Sequence, residues 1–262
     1  MSGVAGRRAA AAGAVAALAA LLLAGCASPA EPQTRTESVD LGGARAALVV
    51  IRLDSGLLDL ASAPGARLLE GDFTVTDAAR LPRLDYTVSD GLGRLVVEQP
   101  ARQGPAFTRE RNDWQLHLSH DVPIHLSVEL GAGIHTLRLN GLALTGLDVT
   151  TSRGSAVAID LTGYWPADLD VAIRSSLGSV TLQLPAGAGA RVEIAPGGGR
   201  IDPGNLRRDG DAYVNEAYGQ SAATLRIAVD PGRADVALTA GLPGDRRIDD
   251  VLLASRLVYS RE

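Results

Sequence analysis

Lysine is absent from this sequence, and all 25 basic residues are Arg. The Gly197-Gly198-Gly199 run therefore has no Lys-Ser/Thr behind it. It is a turn rather than a phosphate-binding loop. Cysteine occurs once, at Cys26, which excludes a disulfide within the chain. Aromatic residues make up 3% of the sequence. A core must then be assembled from Leu, Val, Ile and Ala. Positive charge is also in deficit, with 30 acidic residues against those 25 Arg. An acidic balance argues against nucleic acid as a partner. The four His (His117, His120, His125 and His135) lack the short convergent spacing of a zinc site, so no metal is expected.

What the chain has is a repeat. Apolar residues alternate at Leu126, Val128 and Leu130, at Leu147 and Val149, at Leu169, Val171 and Ile173, and at Ala190, Val192 and Ile194. The starts are spaced by 21, 22 and 21 residues. Seven residues past each start lie Gly133, Gly154, Ser176 and Gly197. Segments starting at Leu84 and Leu225 fit the same template, with Gly91 and Gly232 at the turn. Period-two alternation marks strands with one buried face. A Gly recurring at one phase marks a backbone site with positive φ or no room for Cβ. A fixed period of this length marks a stacked architecture. The expected fold is all-β: a right-handed parallel β-helix or solenoid with rungs of about 21–22 residues. Stacking at ~4.8 Å would place Leu126, Leu147, Leu169 and Ala190 in one interior ladder. The alternative is a β-sandwich or meander of hairpins.

The amino terminus reads as a lipoprotein signal. Arg7 and Arg8 precede an apolar run from Ala9 to Leu23, which ends in Leu23-Ala24-Gly25-Cys26. That run is too short and too Ala-rich for a comfortable membrane-spanning helix. The expected organisation is a signal peptide over 1–25, then lipidated Cys26 and a disordered tether over 26–38. A β-solenoid domain follows over 39–240, and a C-terminal cap or tail over 241–262. Cys26 would carry the diacylglycerol that holds the chain to a membrane. Removing 1–25 takes away two Arg and no acid, so the mature chain becomes still more acidic.

Several clusters invite chemistry. Asp148 and Asp170 each stand one past a rung start, on the outward side. If their rungs stack in phase, the pair could hold a cation or act on a glycosidic bond. A solvated charge ladder balanced by Arg191 is the simpler expectation. Tyr164-Trp165 lies in a connector, either as an exposed sugar- or partner-stacking pair or as a packed corner. Between Ile201 and Leu225 the step lengthens to 35 residues. The inserted stretch near 204–220 gathers Arg207, Arg208, Tyr213, Asn215, Glu216 and Tyr218. Tyr and Arg are enriched in binding hot spots, so this insert is the expected partner-binding loop. The other reading is a cap that buries both Tyr. No catalytic set is recognised, and no cofactor is expected.

The words Leu68-Leu-Glu-Gly-Asp-Phe73, Gly93-Arg-Leu-Val-Val-Glu98, Trp114-Gln-Leu-His-Leu118, Pro123 to Gly133 and the Leu-Asp-Val rungs at 147 and 169 resemble the toast-rack family of bacterial lipoproteins. Those proteins are similar to the extracytoplasmic domain of the cell-wall-active antibiotics response family. The resemblance spans roughly residues 45–240. It implies a right-handed β-helix at the bacterial cell surface or envelope, with no catalytic residues to carry over. The expected role is a lipid-anchored, non-enzymatic surface or interaction protein with an envelope-protein or cell-wall partner, in envelope stress or adhesion. The alternative is a carbohydrate-binding or carbohydrate-cleaving β-helix.

Overall fold

The computed structural model describes residues 31–65, 67–101 and 110–241. The expected signal peptide, Cys26 and the tail beyond Gly241 lie outside the described residues. Among the described residues seventeen strands alternate with turns. The first half holds β1 (Gln33–Asp40), β2 (Ala46–Ala63), β3 (Arg67–Val75), β4 (Arg83–Ser89), β5 (Leu92–Glu98), β6 (Asn112–Ser119) and β7 (Ile124–Arg138). Then come β8 (Leu144–Thr151), β9 (Ser155–Asp160), β10 (Leu169–Ser175), β11 (Gly178–Pro185) and β12 (Gly189–Ile194). The last are β13 (Ile201–Asp202), β14 (Arg207–Asp209), β15 (Ala212–Val214), β16 (Thr224–Asp230) and β17 (Asp235–Gly241). One short 3-10 turn, Ala78–Arg80, is capped by the Asp77 carboxylate, which accepts from the Ala79 amide.

The fold is a parallel β-solenoid with two walls. Each rung supplies one strand to each wall and bends between them. On the first wall one apolar row runs Leu95, Val49, Leu126, Leu147, Val171, Ile227, Val192 through successive parallel pairings. On the second wall it runs Leu116, Leu60, Leu137, Ile159, Leu182, Leu238. All of these residues are buried and belong to one continuous core. Each such side chain contributes roughly 1.5–3 kcal/mol when it leaves water, so the stack is stable although no rung is stable alone.

The bends stack as well. Gly56 pairs with Gly133, Gly133 with Ser155, and Ser155 with Gly178, forming a column at one corner. The φ values of Gly56, Gly133 and Gly178 are 140, 147 and 144°. A Cβ on Gly133 would stand 1.8 Å from the Gly56 carbonyl oxygen, so neighbouring bends approach more closely than any side chain allows. Gly154 also turns with positive φ, at 79°.

Rung order departs from the expected ladder. Val171, not Leu169, stands beside Leu147, and Leu169 and Ala190 both stand beside Leu225. Strand β16 is thus inserted between β10 and β12, and β17 lies between β11 and β13. At the other end β2 lies between β7 and the β5 and β6 strands. The Leu84 segment is not a rung: β4 returns antiparallel on β5. Ile201 is exposed, because β13 is a two-residue edge strand. The tether is shorter than expected, since residues 33–40 form β1, antiparallel to β3 at the edge of the second wall. There Trp114 and Phe73 meet edge to face at 5.3 Å and fill the core where strand pairing turns antiparallel.

Candidate functional site

Outward residues of the first wall form a groove. Gly146, Ala172 and Ala228 point away from the core on β8, β10 and β16, and their small size leaves its floor low. One open cavity of about 540 Å³ lies over this floor. A second, of about 440 Å³, shares Ala172, Ala228, Arg191 and Glu193 with it, so the two are continuous. The imidazole of His125 lies against Gly146, where a Cβ would come within 2.4 Å of Nδ1.

Ion pairs line the banks. His125 Nε2 meets Asp148 Oδ2 at 3.0 Å, and Arg174 Nη1 stands 4.0 Å from Asp148 Oδ1. Arg226 donates from Nε to Asp170 at 2.7 Å and from Nη1 to Asp168 at 2.8 Å. Arg191 donates to Glu193 at 2.8 Å. Hydrogen bonds from Arg226 and from the Thr224 amide hold the Asp168 carboxyl below its ordinary range. The two carboxylates likewise raise the Arg226 guanidinium. Such a surface mixes Arg side chains with an excess of carboxylates, is hydrogen-bonded in advance, and suits a partner carrying both signs.

The structure does not bring Asp148 and Asp170 side by side. Asp148 pairs across with Ala172, and Asp170 with Arg226. Each carboxylate has its own cation. His117 and His120 are exposed, while His135 is fully buried on the second wall and donates from Nε2 to the Gly131 carbonyl at 3.1 Å. Burial lowers its pKa to about 4, against the raising effect of that hydrogen bond. Among the described residues no three His, Cys, Asp or Glu side chains converge as metal ligands.

The inserted stretch folds as a hairpin. Strand β15 pairs antiparallel with both β12 and β14, and so caps the first wall. Asn215 is interior: its amide nitrogen donates to the carbonyls of Pro185 and Ala188 at 2.7 Å, and its oxygen accepts from Ala190. Tyr213 and Tyr218 are half-buried, whereas Arg207, Arg208 and Glu216 are exposed. In the connector, Trp165 is buried with Nε1 donating to Leu161 at 2.8 Å, and Tyr164 is 85% exposed beside it. The pair is thus divided between packing and surface. The sequence reading missed the groove. Its trace was present, in Ala172 and Ala228 at the same outward position three past their starts.

The family described as the N-terminal domain of toast_rack, DUF2154, matches residues 28–183. No curated protein matches the chain significantly. The fold is shared with the crystal structure of a candidate cell adhesion protein from Clostridium sporogenes ATCC 15579. That match has a TM-score of 0.75 at 23% identity and covers 80% of this chain and 100% of that one. A candidate adhesin from Bacteroides fragilis NCTC 9343 aligns at a TM-score of 0.32 and 12% identity, over 80% of this chain and 97% of that one.

Proposed function

We propose, from the premise that the chain belongs to the toast-rack family, that it is a non-enzymatic surface protein of the bacterial envelope. Cys26 holds it to a membrane by a lipid, and its first-wall groove receives a partner in adhesion or envelope sensing. The observation that carries this reading is the groove: a floor of Gly146, Ala172 and Ala228 between banks of paired charges. A groove that crosses parallel strands repeats its chemistry every ~4.8 Å, which suits an extended partner better than a small substrate. The adhesion sense draws on the description of the Clostridium sporogenes protein. The lipid anchor draws on the Leu-Ala-Gly-Cys junction.

Fractionation and crosslinking in cells test both parts. Cys26→Ser is expected to move the protein from membranes to the soluble extracytoplasmic fraction, and equal retention would overturn the anchor. In the wild-type background, Ala172→Arg with Ala228→Arg fills the groove without touching the core. It is expected to abolish the crosslinked species that the wild type forms with an envelope component. Crosslinking that persists unchanged, on a protein with unaltered circular dichroism, would overturn the groove as the contact surface.

A further inference from the structure

We propose that the outward side of the second wall is the seat of the chain's own C-terminal segment, residues 242–262. Val157 and Ile159 point into the core, so Ala156 and Ala158 point out; by the same parity Ile134 and Thr136 point out. An outward residue of a solenoid wall is normally open to water, as Ala228 is on the first wall. On the second wall Ala158 is 1% exposed and Ile134 8%, and Thr136 and Gln183 are buried too. Both Ala residues stand outward in the middle of a parallel ladder, so the difference requires a cover. Among the described residues Leu57 is the one apolar side chain packed on the Ile134–Ala158 pair. Gln183 adds a second observation: its Nε2 is buried and has no hydrogen-bond partner among the described residues. A buried amide in that state points to an acceptor brought by the covering layer.

Position selects the occupant. Ala158 stands beside Thr181, and Thr181 beside Ala237. Gly241, four residues further along β17, ends the described chain beside Pro185 on this same wall. From Gly241 to Ala158 is roughly 16 Å, by two strand spacings and four residues of rise, so about five extended residues reach it. The segment 242–262 has 21 residues and carries Ile248, Val251, Leu252, Leu253, Leu257 and Val258. The surface it meets is small and uncharged at its centre, which suits aliphatic side chains and leaves few carboxylates to desolvate.

Thiol labelling tests the seat. In the full chain with Cys26→Ser, Ala158→Cys supplies the one thiol, and Ala228→Cys supplies the matching thiol on the open wall. With a maleimide, Ala158→Cys is expected to react at least tenfold more slowly than Ala228→Cys. Adding Leu252→Asp and Leu253→Asp is expected to raise the Ala158→Cys rate toward that of Ala228→Cys and leave the latter unchanged. Equal rates at both sites in the parent chain would overturn the cover. Protection that survives the two Asp substitutions would overturn the C-terminal segment as occupant. Protection that weakens on dilution would overturn it in favour of a second copy of the chain.

Discussion

Arg226 and Asp170 stand 56 residues apart in sequence and meet at 2.7 Å across adjacent strands, because β16 lies beside β10. The same guanidinium reaches Asp168 and keeps its carboxylate below the ordinary range. In Arg226→Gln the Asp168 carboxyl is expected to titrate at higher pH, read by the side-chain carboxyl chemical shift in NMR. A midpoint that stays where it was would mean that Arg226 is not the cause.

The corner column separates crowding from strain. Gly133→Ala places a Cβ 1.8 Å from the Gly56 carbonyl oxygen, at a φ of 147°. Gly210 also has positive φ, 61°, but nothing lies within 4 Å of its added Cβ. Gly210→Ala is expected to cost about 1–2 kcal/mol from backbone strain alone. Gly133→Ala is expected to cost upward of about 3 kcal/mol, because a rung must shift. Chemical denaturation of the two variants checks the ordering, and equal midpoints would refute the close approach.

His135 ties stability to pH. Its pKa lies at about 4 in the folded chain against the ordinary 6.5. Above the higher value both states are neutral there, and the group adds no pH dependence. As pH falls from 6.5 toward 4 the unfolded chain takes up a proton that the folded chain refuses, so stability drops. The full loss is on the order of 3 kcal/mol. The stability difference between wild type and His135→Gln is expected to change by that order between pH 7.5 and pH 4 in urea titrations. A difference independent of pH would place the imidazole in contact with water.

Asn215 satisfies three backbone groups in the interior, whereas Tyr164 is almost wholly in solvent. Asn215→Leu strands two carbonyls and an amide, and is expected to cost about 3–5 kcal/mol. Tyr164→Ala is expected to stay within about 0.5 kcal/mol. Thermal unfolding of both variants measures the contrast. A neutral Asn215→Leu would mean that the hairpin does not depend on this lock.

Alternation made the walls legible, because parity alone decides which residues of a strand point inward: Val128, Val149 and Ile173 are all buried as read. The recurring Gly made the bends legible. Register was not, because a slip of two residues preserves parity, so Val171 can replace Leu169 beside Leu147 without moving any side chain to the other face. Stacking order was not legible either. A period reports the length of a rung and nothing about its neighbour, and Leu225 looks the same in sequence whether it follows Ala190 or precedes it. The groove depended on both register and order, since Gly146, Ala172 and Ala228 become neighbours only once β16 is placed beside β10. The Asp148–Asp170 expectation failed on the same two-residue slip.

Insertion of the last rung between two earlier ones sets the sequence of assembly. A solenoid laid down strictly in order can grow like a zipper, each new rung closing on the one before. Here β12 has no parallel neighbour until residues 224–230 arrive, and β10 keeps a free edge until the same moment. The final strands must enter a slot that the preceding chain has left open, which raises contact order and delays the cooperative step. A chain emerging amino terminus first cannot complete these parallel pairings until residues 224–241 have appeared. The rung at 224–241 acts on it as a keystone acts on an arch.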